Sequence, residues 1–73
     1  MLKYTVAMAT HYNDSWHLDY STESAMMDEQ SVIIEGHKLT DLGAFPLYTE
    51  YKNGVKTNIM IEWDNRLVLA FGM

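Results

Sequence analysis

The sequence predicts a mainly β domain of the α+β class, a small antiparallel barrel or sandwich of about six strands with one short helix near 22–30. Apolar and polar residues alternate near both ends of the chain, which is the period of a half-buried strand. The pair Asn53-Gly54 separates two such runs, and this pair is the strongest short signal for a hairpin. Because the chain has 73 residues and is 48% hydrophobic, we expect one compact domain over 1–73.

Two alternating runs at the start of the chain predict the first hairpin. The apolar side of the first run, over residues 1–10, carries Leu2, Tyr4, Val6 and Met8. Residues 10–14 are rich in turn formers, and Asn13 and Asp14 can bond their own backbone. The alternation resumes over 15–20, where the larger apolar residues are Trp16, Leu18 and Tyr20.

The middle of the chain predicts one helix and one buried strand. Hydroxyl side chains at 21–24 can cap a helix start, and the residues that follow are good helix formers. A short helix near 22–30 is therefore predicted, with an extended loop as the alternative. The β-branched run at 32–34 ends at Gly36 and predicts a strand over 31–35 with both sides covered. Residues 37–46 are expected to be a connection.

The last third predicts a three-stranded meander. A two-residue loop at Asn53-Gly54 pairs Tyr48 with Ile59 and Glu50 with Thr57. A three-residue loop at 64–66 is predicted next, which pairs Trp63 with Leu67, Ile61 with Leu69 and Ile59 with Phe71. A two-residue loop would mix apolar and charged residues on both sides, because a one-residue slip reverses the facing of every side chain. The three-residue loop gathers the large apolar residues on one core face, which consists of Tyr48, Ile59, Ile61, Trp63, Leu67, Leu69 and Phe71.

Composition limits the class of protein. The chain has no cysteine, which suits a reducing compartment. It opens without the basic and then apolar pattern of a secretory signal, and no apolar run approaches the ~20 residues that cross a bilayer. We therefore expect a cytoplasmic protein that does not bind membranes.

Charge is distributed unevenly along the chain. The net charge is −5, and between Tyr4 and His37 there are six acidic residues and no lysine or arginine. Lys3 aside, the bases belong to the second half, where four of them balance four acids. The negative first half repels nucleic acid and attracts basic surfaces, so direct nucleic-acid binding is not expected.

No residue pattern predicts catalysis or a bound metal. The sequence lacks a glycine-rich phosphate loop, a nucleophile elbow and a metalloprotease motif. His11 and His17 lie near Asp14 and Asp19, but their spacing matches no dense metal-ligand pattern. We expect neither an enzyme nor a cofactor.

The acidic first half is the predicted contact surface for a basic partner protein. Its acids are interleaved with tyrosine and tryptophan, which are typical interface anchors, and charge complementarity speeds encounter. The predicted contact residues are Tyr12, Asp14, Trp16, Asp19, Tyr20, Glu23, Asp28, Glu29 and Glu35. In size and charge the chain resembles the small acidic inhibitors that phages encode against host nucleases, which implies nucleic-acid mimicry toward a nucleic-acid-processing enzyme. The plainer interpretation is that these charges keep a small protein in solution.

A structural role as a homo-oligomer is the alternative function. The second face of the C-terminal meander carries enough apolar residues to form a contact between two copies. The copies would pack through these side chains or pair through the edge of the C-terminal strand. The residues predicted for this interface are Leu47, Tyr51, Met60 and Val68.

Overall fold

The structure, a computed structural model, describes residues 1–63 and 66–72, and the side chains of residues 1–63. Within these residues, five antiparallel strands form one sheet in the order β2-β1-β3-β4-β5, with one α-helix. The elements in chain order are β1 (Leu2–Tyr12), β2 (Ser15–Asp19), a 3-10 turn (Tyr20–Thr22), α1 (Glu29–Asp41), β3 (Phe45–Lys52), β4 (Val55–Trp63) and β5 (Arg66–Gly72). The mainly antiparallel β class with one helix is confirmed, but the described residues form a single curled sheet instead of a six-stranded closed barrel or sandwich.

The sheet has two different faces, which we call the helix face and the inner face. On the helix face, α1 packs on β1 and β3, and Val32 of the helix lies in a cluster with Val6 and Tyr48. The inner face holds a second cluster, Ala7, Ala9, Leu47, Ile59 and Ile61. The sheet curls around this inner face. Two strands separate β2 from β4 in the sheet, yet the ring centroids of Trp16 on β2 and Trp63 on β4 lie only 5.7 Å apart.

The helix lies later in the chain than predicted. The Asp28 carboxylate accepts a hydrogen bond of 2.8 Å from the Ser31 amide and caps the first turn. Val32, Gly36 and Leu39 then recur at helical spacing, with the first two buried and the third packed against their cluster. The strand predicted over 31–35 is therefore wrong, since a short β-branched run does not by itself separate a strand from a buried helix face.

The segment predicted as a helix near 22–30 runs instead along the edge of β1. Met27 and Tyr4 exchange two backbone hydrogen bonds of 2.8 Å each, and the Ser24 amide donates to the Val6 carbonyl at 2.9 Å. The alternative prediction, an extended segment, is correct up to the helix cap. These bonds satisfy the part of the β1 edge that β2 does not reach.

Both predicted turns of the described hairpins are present. Asn13 and Asp14 have φ values of 51° and 60°, and Asn53 and Gly54 have φ values of 53° and 83°. Two successive residues of positive φ form the turn that matches the twist of a hairpin. The hairpins β1–β2 and β3–β4 follow directly from this turn chemistry.

The register of β3 against β4 differs from the prediction because β4 contains a bulge. Next to the turn, Tyr51 pairs with Lys56, but the following pair is Glu50 with Asn58, so Thr57 is the extra residue. Tyr48 therefore pairs with Met60 instead of Ile59. Tyr48 lies on the helix face, and the predicted core face that combined it with Ile59 and Ile61 is wrong.

The register of β4 against β5 also differs from the prediction. Arg66 belongs to β5 and pairs with Trp63, so it is not part of a loop. Ile61 pairs with Val68, whereas Leu69 was predicted; the predicted pair of Ile59 with Phe71 is correct, because a second irregularity follows Ile59. Residues 64 and 65, which belong to the predicted loop, lie outside the described residues, as do the side chains predicted for the core at positions 67, 69 and 71. No helix within the described part of the chain is long and apolar enough to span a membrane.

Candidate functional site

The helix face contains an open groove that α1 leaves uncovered beside β4. Its volume is about 210 Å³, which is smaller than the ~300–1,000 Å³ of pockets that enclose a whole small molecule. The groove is lined by Tyr4, Glu29, Val32, Ile33, Tyr48, Glu50, Met60 and Glu62. Three of these residues are acidic, and none of the side chains described for this lining is a lysine or an arginine.

The Glu50 carboxylate is held at one end of the groove by hydrogen bonds. Thr57 Oγ1 donates to Glu50 Oε1 at 2.7 Å and Asn58 Nδ2 donates to the same atom at 3.0 Å. These two hydrogen bonds, the Thr57 bond most of all, lower the pKa of Glu50. The carboxylate is therefore charged at neutral pH, and its second oxygen is left for Tyr4, whose hydroxyl lies 3.5 Å away.

Glu29 contributes a second negative charge to the same end. It is the first residue of α1, and the helix dipole favours a carboxylate at that position. Burial, followed by the charges of Glu50 and Glu29, raises the pKa of the Tyr4 hydroxyl. Tyr4, Glu29 and Glu50 all line the groove.

Glu62 forms the other end of the groove. Its Oε1 atom lies 3.5 Å from Nε2 of His37, on the helix, so the carboxylate bridges β4 and α1. Burial, and then the charge of Glu62, raises the pKa of Tyr48 to about 12. Tyr48 therefore stays protonated throughout the physiological range and can donate or accept a hydrogen bond.

Tyr48 is the one buried side chain of the described residues that has a polar atom without a hydrogen-bond partner. The residue is only 4% exposed, and its hydroxyl meets no donor or acceptor among the described residues. A Cβ atom at Gly36 would lie 2.1 Å from that hydroxyl, so the ring reaches under the helix only because position 36 is glycine. Buried hydroxyls without a partner are uncommon in proteins and call for an explanation.

The two ends of the groove are well separated. Glu50 pairs with Asn58, and Glu62 follows Asn58 by four residues on the same face of β4. At ~3.3 Å per residue along a strand, the two positions are about 13 Å apart. Tyr48 and Met60, which pair with each other, lie between them. The groove is thus apolar in its middle and negatively charged at both ends.

The predicted contact residues do not form one surface. Tyr12 stacks on His17 with ring centroids 3.8 Å apart, whereas Trp16 lies on the opposite face, edge-on to Phe45 at 5.3 Å. The Lys56 ammonium lies 5.8 Å from the centroid of the Tyr20 ring. A base from the second half of the chain therefore borders the surface that was predicted to be free of bases.

Four of the six predicted contact carboxylates are engaged locally. Asp19 accepts from the Ser21 amide at 3.1 Å, and Asp28 caps α1. Glu23 accepts from the Thr5 hydroxyl at 2.7 Å, and Glu35 pairs with Lys38 at 3.0 Å. Asp14 lies in the β1–β2 turn, and Glu29 alone among the six lines the groove.

The residues predicted for an oligomer interface do not share a face. Leu47 is fully buried at 0% exposure in the inner cluster, so it has no surface to offer a second copy. Tyr51 lies on the same side of the sheet as Leu47, whereas Met60 pairs with Tyr48 and lines the groove. The side chain of Val68 lies outside the described ones. Leu47 and Met60 lie on different faces because the Thr57 bulge reverses the facing of β4 relative to the predicted register.

Sequence reasoning missed Glu50 and Glu62 as members of one site. In the unbulged register, Glu50 pairs with Thr57, and Glu62 then falls on the other face. One extra residue in β4 brings both carboxylates to the helix face. The signal in the sequence is Thr57 itself, a residue whose hydroxyl can bond both the carbonyl and the carboxylate of Glu50.

No metal site is formed by the described residues, in which no group of three histidine or acidic side chains is arranged to hold an ion. Comparison of the chain with protein-family models, with curated proteins and with solved structures returned no match.

Proposed function

We propose that this protein is a non-catalytic binding protein that docks onto a basic surface of a partner protein through the groove between α1 and β4. The observation that carries the proposal is the lining of that groove, in which the side chains of residues 1–63 supply three carboxylates around an apolar floor and no lysine or arginine. This keeps the acidic, aromatic-bearing contact expected from the sequence, but it moves the contact from the first half of the chain to Glu29, Glu50 and Glu62.

The geometry favours binding over acid–base catalysis. Carboxylate pairs that cleave glycosidic bonds, for example, face each other across about 5–10 Å, and their pKa values are pushed apart. Glu50 and Glu62 are about 13 Å apart along the sheet, and the pKa of Glu50 is lowered. Both carboxylates are suited to meet fixed positive charges.

The groove combines two sources of affinity. Ile33 and Met60, which are not fully buried, offer apolar surface, which gains about 25 cal/mol for each Å² removed from water. The carboxylates add charge-assisted hydrogen bonds, which are roughly twice as strong as neutral ones. A basic partner is therefore attracted from a distance and held by packing on contact.

Selection from a library of random twelve-residue peptides, displayed on phage and captured by the immobilised protein, tests this function. We expect the recovered peptides to be enriched in arginine and lysine relative to the starting library. The double variant E50Q/E62Q should lose this enrichment, because it removes the charge at both ends of the groove.

The matched control is D14N/E35Q, which removes the same two charges at positions outside the groove. Its recovered peptides should resemble those of the unchanged protein. No enrichment in basic residues would refute the proposed function, and an equal loss in both double variants would point to the diffuse acidic first half instead of the groove.

A further inference from the structure

We infer that the groove recognises an extended peptide segment in which two basic residues are separated by three others and flank a central apolar one. In this arrangement the cation near Glu62 also donates a hydrogen bond to the Tyr48 hydroxyl. The inference rests on the proposed function and specifies the chemistry of the partner segment.

The spacing of the carboxylates sets the spacing of the basic residues. Glu50 and Glu62 are offset by four strand positions on one face, or about 13 Å. An extended peptide repeats its facing every two residues, so positions one, three and five of a segment point the same way. Residues one and five of such a segment are also about 13 Å apart, which matches the two ends of the groove.

The middle of the groove defines the central residue. Ile33 from the helix and Met60 from β4 line the groove between its charged ends. Ile33 is 38% exposed although it is aliphatic, so the helix leaves apolar surface toward the groove. An aliphatic side chain at position three of the peptide would bury this surface, and methionine adapts easily to the shape of such a side chain.

The Tyr48 hydroxyl gives an independent reason to expect a ligand at the Glu62 end. It is buried and has no partner among the described residues, and Tyr48 is one of the residues that line the groove. A hydroxyl has lone pairs that accept from an N–H group. A guanidinium has five N–H donors, enough to serve the Glu62 carboxylate and the hydroxyl at once, whereas an ammonium is a compact point charge. Arginine is therefore preferred to lysine at this end.

Two synthetic peptides of the same composition test the spacing. The first, acetyl-Gly-Arg-Ser-Leu-Ser-Arg-Gly-amide, has its arginines four positions apart, and the second, acetyl-Gly-Ser-Leu-Arg-Arg-Ser-Gly-amide, has them adjacent. Affinities measured by NMR titration at constant salt should favour the first peptide by about tenfold, which is the effect of one additional charge-assisted hydrogen-bonded contact.

Variants of the protein locate the contacts. E50Q and E62Q should each weaken binding of the spaced peptide by about tenfold, whereas E35Q, at a position that does not line the groove, should stay within about twofold. Y48F should weaken it by about fivefold, which is typical of one hydrogen bond to a charged donor in a partly wet site. Circular dichroism of each variant checks that the fold is kept.

The outcomes separate this inference from the proposed function. If both peptides bind with equal affinity and E50Q/E62Q binds neither of them, the groove binds cations but the inferred spacing is wrong. If neither peptide binds, or if E35Q weakens binding as much as E62Q, the inference and the proposed function both fail. An unchanged affinity of Y48F overturns the role assigned to the hydroxyl.

Discussion

At the scale of single residues, one contact between a glycine and a tyrosine decides how the helix sits on the sheet. Gly36 on α1 lies against the hydroxyl end of Tyr48 on β3, and both residues are buried. Tyr48 cannot swing away, because its ring is packed in the cluster with Val6 and Val32. The close approach of helix to sheet, and with it the wall of the groove, depends on the missing Cβ atom.

We predict that Gly36→Ala destabilises the protein. The new Cβ atom would lie 2.1 Å from the hydroxyl oxygen and 2.7 Å from Cζ of Tyr48, and overpacking of this kind costs about 1–3 kcal/mol. In an exposed helix the same change would instead stabilise by up to ~1 kcal/mol. Urea denaturation measures the free energy of unfolding. The cost should be smaller in a Y48F background, and a G36A protein as stable as the original would contradict the packing described.

The raised pKa of Tyr48 predicts how stability depends on pH in the alkaline range. The folded protein holds the Tyr48 proton up to a pKa of about 12, whereas an unfolded tyrosine loses it near 10. Ionisation of Tyr48 therefore leaves the free energy of unfolding unchanged below pH 10 and lowers it as the pH rises toward 12. At most this loss amounts to roughly 2–3 kcal/mol, because one pKa unit corresponds to about 1.4 kcal/mol.

Thermal unfolding followed at several pH values between 9 and 12 tests this dependence. The decline should be clearly shallower for Y48F, which has no proton to lose at this position. At neutral pH, Y48F should be as stable as the original protein or slightly more stable, because it removes a buried hydroxyl that has no partner. Equal alkaline declines in the two proteins would show that Tyr48 does not cause the effect.

At the scale of elements, the turns could be predicted from the sequence and the register could not. Asn53-Gly54 predicts its hairpin from local chemistry alone, because both residues tolerate positive φ. The bulge at Thr57 brings Ile59 and Ile61 to the inner face and Met60 to the helix face, and alternation of apolar and polar residues does not by itself predict a bulge. The predicted register therefore placed Tyr48 on the same face as Ile59 and Ile61, and the groove could not be predicted from it.

The helix was missed for a related reason. Val32, Ile33 and Ile34 have a high preference for strands, and the helix forms because Val32 and Leu39 find a packing surface on β1 and β3. Tertiary contacts override local preference in a helix this short. The local signal that predicts the helix start is Asp28, which stands at the N-cap before Glu29.

We predict that Asp28→Ala lowers the midpoint of thermal unfolding and that Asp28→Asn changes it little. Alanine removes the hydrogen bond to the Ser31 amide, whereas asparagine caps a helix about as well as aspartate. That hydrogen bond lowers the pKa of Asp28, so its contribution is present above the unfolded pKa and is lost as the solution is acidified. Far-UV circular dichroism on heating measures both variants, and equal midpoints for alanine and asparagine would contradict the cap.

At the scale of the whole molecule, negative charge is plentiful but only part of it gathers on one surface. The sequence predicts the sign and the excess of charge correctly, since these depend on composition alone. It places the contact in the first half, where the predicted contact residues do not form one surface. The carboxylates that gather on one open surface, Glu29, Glu50 and Glu62, come from three different elements.

The most direct test of this account is to map where a cationic peptide binds. In a titration of the ¹⁵N-labelled protein with hexa-arginine at physiological salt, backbone amide shifts should change in 29–37, 48–50 and 58–62, the segments that border the groove. The turn at Asn13 and Asp14 should change little. Shift changes centred on the β1–β2 hairpin and the 3-10 turn, with the groove segments unaffected, would contradict the account.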